Sequence, residues 1–439
     1  MFHVSLILEM NSDSEFDKIT SRVLFVDMNS FFATCEQQIN YWVRGKPVCV
    51  AVYTGKHGVI IAPSIEAKAL GIKLGMRLSE AMRICPDIIP IETHPKRYRE
   101  FHIKVMNVLR KYSEDVIPKS IDEAIVDLTN YKLLYKNPVD VARKIKADIR
   151  REVGEWMKCS IGIAPNAFLA KLGSNLKKPD GLVVITPETI DEVLKSLQLV
   201  DLPGISTKMA ERLHRAGIHT PLQLRHSPPE KLKRACNSIV GVHWHYRLHF
   251  KELDQKHERY KSMQARRAIS LSQRQSVEGL QDLFMKLSLK LESRMVNEGV
   301  FTTEIGFFST YESGKSWKDF FRTGRPVQDG MEVMNLLKLH MKSFENAHKC
   351  EPIINTKMIS MGISVSRFVK DDLVQLHMFE NNVQKDNLRK LVYNIKDKFG
   401  SDKLMRGIEL RDEEVLKDAI GFGSVKDMYF TKDKRPADI

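Results

Sequence analysis

Three acidic residues in apolar surroundings are the strongest candidates in this sequence for a catalytic site. Asp27 ends an apolar run, and the adjacent Asp122 and Glu123 lie between two more. Most Asp-Glu pairs simply face water, but acids on strands that read as buried need a partner or a cation. Carboxylate oxygens are ligands that Mg²⁺ prefers, and a two-metal centre stabilises both the attacking and the leaving oxygen of a phosphoryl transfer. The three acids therefore predict a metal-dependent phosphoryl-transfer site.

These acids can share one site only if the chain bends where they lie. Residues 23–26, 116–118 and 124–128 are apolar and predict three largely buried strands. Neighbouring residues of an ideal strand point to opposite faces, so Asp122 and Glu123 would diverge within a straight strand. We therefore expect them at a hairpin tip or kink, close to the end of the first strand.

The composition indicates a multidomain globular protein with a polyanionic partner. The chain has 439 residues, of which 43% are hydrophobic, and this length suggests roughly three domains. Its 69 basic and 55 acidic side chains give a formal charge of +14, which favours nucleic acid as the first partner and a membrane surface as the second. No apolar run approaches the roughly 20 residues of a spanning helix, and the N-terminus lacks the basic start of a secretion signal. We expect a cytoplasmic protein without a membrane partner, whose six scattered cysteines are reduced thiols.

Strand and helix patterns divide the chain into successive parts. Residues 22–186 alternate strands with helices and predict an α/β or α+β body, and residues 187–248 predict a small helical module. Residues 251–267 are rich in lysine and arginine and predict a basic linker with strand character at its end. Residues 268–369 again alternate strands with helices, which indicates a second α/β domain. Residues 1–20 are typical of a loose extension, and one further helix precedes a polar C-terminal tail.

Three motifs follow one another at separations that identify a family. Residues 27–33 read Asp-Met-Asn-Ser-Phe-Phe-Ala, residues 120–124 read Ser-Ile-Asp-Glu-Ala, and residues 161–171 contain Ile-Gly-Ile-Ala-Pro-Asn followed by Leu-Ala-Lys. These segments resemble the catalytic motifs of Y-family translesion DNA polymerases, of the bacterial DinB and UmuC kind, and the resemblance covers nearly everything after Ser21. It implies a multidomain α+β fold, a right hand with palm, fingers, helix-hairpin-helix thumb and little finger.

The resemblance also implies where these domains begin and end. The expected parts are an N-terminal extension at 1–20, a palm at 21–30 and 94–186, fingers at 31–93, a thumb at 187–252, a basic linker at 253–266, a little finger at 267–372, and a C-terminal region with a clamp-binding motif at 373–439.

The activity implied by the resemblance is template-directed, error-prone DNA synthesis without proofreading. A primer 3′-hydroxyl would attack the α-phosphate of a dNTP, and pyrophosphate would leave. Asp27, Asp122, Glu123 and the backbone carbonyl of Met28 would bind two Mg²⁺ ions. The implied partners are primer-template DNA, dNTPs and a sliding clamp, and the enzyme is expected to be a monomer.

Four residues are expected to contact the nucleotide. Phe32 lies where the family keeps an aromatic steric gate, since a ring packed beneath the sugar leaves no room for a 2′-hydroxyl. Phe31 fits the role of a core aromatic, and the resemblance also brings it to the triphosphate together with Lys68 and Lys178. Ile65 and Lys68 replace the tyrosine and arginine that DinB members usually carry, and Lys68 lacks the bidentate fork of an arginine. The sequence does not decide between the DinB and the UmuC branch of the family.

Other segments resemble those by which the family binds DNA and the sliding clamp. Gly204 and Ser206 belong to a Leu-Pro-Gly-Ile-Ser segment that resembles a helix-hairpin-helix, whose backbone N–H groups can meet a DNA phosphate. Residues 375–379 resemble a clamp-binding peptide, with a final strand of the preceding domain as the alternative. The side chains assigned to the clamp are Gln375, Leu376, Met378 and Phe379, and those assigned to DNA in the second domain are Arg266, Arg267, Arg274 and Arg367.

Two other classes of function compete with a polymerase. A non-catalytic DNA-binding scaffold recruited by the clamp fits the basic charge, but it has no need for carboxylates that converge without a cation. A nucleotidyl cyclase with a similar palm would need neither the helix-hairpin-helix nor the basic second domain. The polymerase is therefore the preferred interpretation, and the lesion bypassed, the fidelity and the need for accessory proteins stay open.

Overall fold

The computed structural model of the protein describes residues 20–55, 58–254, 261–374 and 382–399, together with residues 404 and 407. Contacts divide the described chain into two compact units, the first up to residue 254 and the second from residue 261. Within these described residues, no helix is both long and apolar enough to cross a membrane.

The described part of the first unit contains two β-sheets, and its strands are numbered in chain order. They are β1 (Val23–Met28), β2 (Val48–Ala51), β3 (Ile60–Pro63), β4 (Ile89–Glu92), β5 (Val116–Pro118), β6 (Glu123–Asp127), β7 (Cys159–Ala164) and β8 (Leu182–Val184).

The larger sheet has β1 at its centre, in the strand order β5-β6-β1-β7-β8. All six residues of β1 are buried, as the unbroken apolar run predicts for a central strand. β1 runs antiparallel to β6 and β7, whereas β8 pairs with β7 in parallel. β5 and β6 form an antiparallel hairpin, with Asp122 in its turn and Glu123 at the start of β6. The expected hairpin tip is therefore confirmed.

The helices of the first unit pack on these sheets and then form a separate module. They are α1 (Phe31–Ile39), α2 (Ile65–Ala69), α3 (Leu78–Ile84), α4 (Pro95–Arg110), α5 (Pro138–Asp148), α6 (Ala167–Leu176), α7 (Ile190–Lys195), α8 (Thr207–Arg215), α9 (Pro221–His226), α10 (Pro229–Cys236) and α11 (Val240–Leu248).

The smaller sheet, in the order β3-β2-β4, has its own core. β2 runs antiparallel to β3 and parallel to β4, and α2 and α3 lie beside them. Ile60, Ile72 and Leu78 are buried in this core. Helices α7 to α11 form the helical module that the sequence predicts after residue 187. Its core continues into that of the large sheet through α6, whose Phe168 shares one apolar cluster with Trp244 of α11.

In its described residues, the second unit is one antiparallel sheet covered by helices. Strands β9 (Ser262–Ala268), β10 (Val300–Tyr311), β11 (Ser316–Val327) and β12 (Met358–Lys370) pair in the order β11-β10-β12-β9. Helices α12 (Val277–Asn297) and α13 (Gly330–His348) pack on one face of the sheet, and α14 (Asn382–Phe399) contacts α12. The last residues of the predicted basic linker thus belong to a sheet strand, β9, in keeping with the strand character expected there.

Candidate active site

The three predicted acids lie together at one end of the large sheet. Asp27 on β1 is directly opposite Glu123 on β6 in the strand register. Asp122 precedes Glu123 in the β5–β6 turn, and its carbonyl accepts a hydrogen bond from the backbone N–H of Met28 at 2.9 Å. Asp27 is only 4% exposed, so its charge needs compensation from nearby groups.

Two lysines supply that compensation. The Lys171 ammonium donates to Asp27 Oδ2 at 2.7 Å and also to Glu123 Oε1. The Lys178 ammonium donates to the other oxygen of Asp27, Oδ1, at 2.7 Å. The carboxylates of Asp27 and Glu123 therefore converge on a single cationic group, the ammonium of Lys171.

The pKa shifts follow from this balance of burial and charge. Burial alone would raise the pKa of Asp27, but Lys171 and Lys178 outweigh it and hold the pKa below its usual value. Burial raises the pKa of Glu123, although Lys171 opposes the rise. Burial would lower the pKa of Lys171, and its two carboxylate partners reverse this and raise it. The site therefore holds a charged lysine between two acids.

The third acid is directed elsewhere. The Ser120 hydroxyl donates to Asp122 Oδ1 at 2.5 Å. Burial raises the pKa of Asp122, an effect that the Ser120 hydrogen bond opposes and the charge of Asp27 reinforces. Among the residues that the structure describes, no three His, Cys, Asp or Glu side chains are arranged as a metal-ligand group. The three carboxylates thus share one end of the sheet, but only Asp27 and Glu123 converge on a common cation.

The loop that carries Lys178 is fixed by a polar network. The backbone N–H of Asp180 donates to Asn29 Oδ1 at 2.7 Å. The Asp180 carboxylate contacts the ammonium of Lys146 at 2.9 Å and also the guanidinium of Arg150. These contacts hold the loop beside the end of β1, which keeps Lys178 within reach of Asp27.

A cavity of about 650 Å³ opens beside the acids. Both predicted lysines, Lys68 and Lys178, line it, as do Phe31 and Phe32. Burial and the charge of Lys178 lower the pKa of Lys68, while nearby acids oppose this. The other charged and hydroxyl side chains along the cavity are Asp27, Ser30, Ser120, Asp122, Glu123 and Lys171. A cavity lined by both carboxylates and lysines can hold an anion together with cations.

Phe32 is held by an aromatic and polar network that the sequence did not reveal. Its ring stacks on Tyr98 of α4, with centroids 4.5 Å apart and planes inclined by 21°. The Tyr98 hydroxyl donates to Glu36 Oε1 at 2.8 Å. Glu36 is buried on α1 and also contacts Arg97 at 3.0 Å and His94 at 2.9 Å. The ring of Phe32 is therefore fixed on the wall of the cavity.

The helical module presents an exposed helix start where the sequence predicts a phosphate contact. Gly204 has a φ of +86°, a left-handed conformation that glycine adopts without strain. Ser206 precedes α8, and its side chain makes no capping hydrogen bond. The first N–H groups of a helix lack intrahelical partners, so the start of α8 can donate to an anion.

The second unit has a flat, basic row of side chains on the sheet face opposite its helices. Phe308 of β10 pairs with Lys318 of β11 and with Gly362 of β12, and Gly362 pairs with Arg266 of β9. The Phe308 ring covers Gly362, where an added Cβ would come within 2.3 Å of the ring. The Arg266 guanidinium lies 5.8 Å from the ring centre. A ring and a glycine between two cations form a smooth surface that suits a nucleic-acid backbone.

The next row of the same face repeats this packing. The Phe320 ring lies over Gly306, where an added Cβ would come within 2.2 Å of it. The Lys318 ammonium lies 4.9 Å from the centre of the Phe320 ring. Phe320 is 40% exposed, so the outer surface of its ring faces solvent.

The other arginines predicted to bind DNA have different surroundings. Arg267 follows Arg266 on β9 and pairs with the core residue Met361, so it alternates toward the face covered by helices. The guanidinium of Arg274 pairs with Glu312 at 2.5 Å. That of Arg367 pairs with Glu304 at 2.9 Å. Gln375, Leu376, Met378 and Phe379, the predicted clamp contacts, lie outside the described residues.

Comparisons with known proteins show what the chain is similar to. The model of the impB/mucB/samB family matches residues 26–175. DNA polymerase IV of Sulfurisphaera tokodaii is 35% identical over 229 residues, which are 52% of this chain and 64% of that protein. DNA polymerase IV of Pelotomaculum thermopropionicum is 29% identical over 409 residues, which are 91% of this chain and 98% of that protein.

Solved structures agree on the fold. A Y-family DNA polymerase chimera of Dbh and Dpo4 superposes with a TM-score of 0.67 at 24% identity, covering 79% of this chain and 99% of the chimera. A Dbh ternary complex superposes with a TM-score of 0.54 at 23% identity, with the same coverage. These comparisons show that the chain is similar to the impB/mucB/samB family and to proteins named DNA polymerase IV, and that it shares the fold of the solved Y-family DNA polymerase chimera.

Proposed function

We propose that this protein is a template-directed DNA polymerase of the translesion type, which adds dNTPs to a primer 3′ end without proofreading. The observation that carries the proposal is the convergence of Asp27 and Glu123 on one cation, next to a cavity lined by lysines and by Phe32. Relatives named DNA polymerase IV in bacteria and archaea support the same activity.

The acids are suited to hold Mg²⁺. Asp27 and Glu123 already direct oxygens to one ammonium group, and a cation in the place of that group would meet the oxygen ligands that Mg²⁺ prefers. Asp27, Asp122, Glu123 and the carbonyl of Met28 would hold two Mg²⁺ ions. Bound Mg²⁺ would stabilise charge on the attacking and the leaving oxygen of the nucleotidyl transfer.

The cavity residues would bind and select the nucleotide. Lys68 and Lys178 line the cavity with positive charge and would contact the triphosphate, beside Phe31 at the start of α1. Phe32, held by Tyr98, would act as the steric gate that excludes a 2′-hydroxyl. A fixed ring can discriminate by shape because it cannot move aside for the extra oxygen.

Primer-template DNA would contact both units. Gly204 and Ser206 would offer the start of α8 to a phosphate, and the row around Phe308 and Arg266 would contact the backbone in the second unit. In this proposal the palm covers 21–30 and 94–186, the fingers 31–93, the thumb 187–252, the linker 253–266 and the little finger 267–372. The enzyme would act as a monomer, and residues 375–379 would bind a sliding clamp.

A primer-extension assay with Mg²⁺ tests the catalytic assignment. Asp122→Ala removes a carboxylate of the site and should abolish dNTP incorporation while leaving DNA affinity and folding unchanged. Asp87→Ala, at an exposed position of the same unit, is the matched control and should incorporate dNTPs at the wild-type rate. Wild-type protein that binds DNA but extends no primer would instead point to the non-catalytic scaffold.

A further inference from the structure

The last residues of the helical module, 247–254, lie against two elements of the active site. We call this segment the root, because the chain continues from it to the second unit. One element is the start of α6, the helix that carries Lys171. The other is the β5–β6 turn, which carries Asp122 and leads into Glu123.

Asn166 joins the root to α6 through a fully buried amide. Its Oδ1 accepts from the backbone N–H of Leu169 at 2.9 Å, which caps the helix. Its Nδ2 donates to the carbonyls of Arg247 at 2.8 Å and Lys251 at 3.1 Å, both in the root. One side chain therefore ties the first turn of α6 to the end of α11 and the residues that follow it.

Glu252 adds a second connection to the same helix start. Its Oε2 accepts from the backbone N–H of Ala167 at 2.7 Å, and its Oε1 accepts from that of Asp254 at 2.6 Å. A carboxylate at a helix N-terminus also interacts favourably with the helix dipole. Arg247 completes the cluster, because its guanidinium pairs with the Asp254 carboxylate and lies 5.5 Å from the ring centre of Phe168.

Lys119 connects the root to the acidic turn. Its ammonium donates to the backbone carbonyl of Asp254. Its own backbone N–H donates to the carbonyl of Glu123 at 2.8 Å, so Lys119 is part of the turn that holds the acids. The root thus contacts the turn directly, as well as the helix that opposes it.

α6 can transmit the position of the root because it lies directly on the sheet. A Cβ at Gly162 of β7 would come within 2.0 Å of the carbonyl oxygen of Ala170, so nothing separates the helix from the strand. Lys171 lies one turn after Ala167, the residue that Glu252 caps. The position of the helix start therefore bears on where the Lys171 ammonium lies between Asp27 and Glu123.

We propose that Lys119 and Glu252 are positioning residues. By anchoring the β5–β6 turn and the start of α6 to the root, they fix the position of Asp122 and Glu123 relative to Lys171. This inference rests on the proposed polymerase function, whose reacting groups these residues do not touch. A displacement of about 1 Å in a catalytic geometry can cost about 100-fold in rate, and loosening one of two anchors should cost about tenfold.

Single-nucleotide incorporation on a primer-template, with saturating DNA, tests the proposal. Lys119→Met and Glu252→Ala should each lower kcat about tenfold and leave the DNA dissociation constant and KM for dNTP near the wild-type values. Glu252→Gln keeps one acceptor oxygen and should recover most of the lost kcat. Lys195→Met, which removes an exposed pair with Glu192, is the control and should match wild type. The positioning role would be overturned if Lys119→Met and Glu252→Ala kept the wild-type kcat. It would also be overturned if their kcat fell only in proportion to losses of DNA affinity and thermal stability.

Hydrogen exchange separates this inference from the polymerase function. In Glu252→Ala, amides at 166–171 should exchange faster than in wild type, and in Lys119→Met, amides at 119–123 should do so, with no change in Lys195→Met. If both variants exchange these amides at the wild-type rates, the positioning role is refuted, even when the wild-type protein incorporates dNTPs. Inactive wild-type protein would count against the polymerase function, and the exchange result would still decide whether the root positions the two elements.

Discussion

Removing the ammonium of Lys171 should lower the thermal stability of the protein and make that stability respond more strongly to divalent cations. Lys171→Met keeps the unbranched apolar part of the side chain but removes the positive charge shared by Asp27 and Glu123. Both acids would then face each other across β1 and β6 with Lys178 as the remaining cation beside Asp27. Like charges in a buried site repel strongly unless a cation or a proton intervenes.

The magnitude follows from the burial of the partners. Removing one partner of a fully buried ion pair costs about 3–5 kcal/mol. The side chain of Lys171 is 20% exposed and that of Glu123 is 26% exposed, so water screens part of the repulsion. Lys178 also still compensates Asp27. We therefore expect a loss of about 2 kcal/mol, which corresponds to a fall in Tm of about 4–8 °C for a unit of this size.

Mg²⁺ should restore what the substitution removes. In the wild-type protein a cation must displace the Lys171 ammonium from both carboxylates, whereas in the variant Lys178 competes for Asp27 and no lysine bridges Asp27 and Glu123. Mg²⁺ at about 100 times its dissociation constant would add about 2.7 kcal/mol, enough to offset the loss. The rise in Tm on adding Mg²⁺ should consequently be larger in Lys171→Met than in wild type.

Thermal unfolding with a chelator and with increasing Mg²⁺ measures both effects. Lys195→Met, at an exposed ion pair with Glu192, is the control and should melt like wild type in both conditions. The reasoning would be refuted by a Lys171→Met protein that melts at the wild-type temperature in chelator and gains no more from Mg²⁺ than wild type does.

Two further outcomes are expected from the proposed function. Phe32→Ala opens the cavity beneath the sugar and should raise the ratio of ribonucleotide to deoxyribonucleotide incorporation in a primer-extension assay; an unchanged ratio would remove the gate assignment and leave the polymerase intact. Alanine at both Leu376 and Phe379 should abolish stimulation of synthesis by a sliding clamp and leave basal synthesis unchanged, because the apolar side chains that would fill the pocket of the clamp are gone. Equal stimulation of the variant and the wild type would favour the alternative of a final strand.

The sequence predicts the elements of the site because their signals are local. An unbroken apolar run indicates that β1 is a central strand. Adjacent residues of a strand point to opposite faces, so Asp122 and Glu123 can share one site only where the chain bends. The hairpin between β5 and β6 meets that requirement, and its turn places both residues beside the end of β1. Helices α4 and α12 and strands β10 and β12 likewise follow from the periodicity of their apolar residues.

The partners of these residues were not predictable from local signals. Lys171 lies in a recognised motif, but its bond to Asp27 joins residues 144 positions apart and depends on how α6 packs on β7. Phe32 and Tyr98 come from separate helices, so nothing in either segment indicates that they stack. The pairs of Phe308 with Gly362 and Phe320 with Gly306 depend on strand register. A glycine opposite an aromatic residue on adjacent strands is the signal that could have found them.

The charges around the cavity account for how one site can be stable both with and without its substrates. Three carboxylates and three lysines line the cavity, so the free protein needs no external cation to balance them. In the proposed reaction, the charges of two bound Mg²⁺ ions and of a triphosphate would roughly cancel. Lys171 and Lys178 would then release Asp27 to Mg²⁺, and Lys178 would turn to the phosphates. Under this proposal the exchange preserves the net charge of a partly buried site, which accounts for the lysines that contact Asp27 and Glu123.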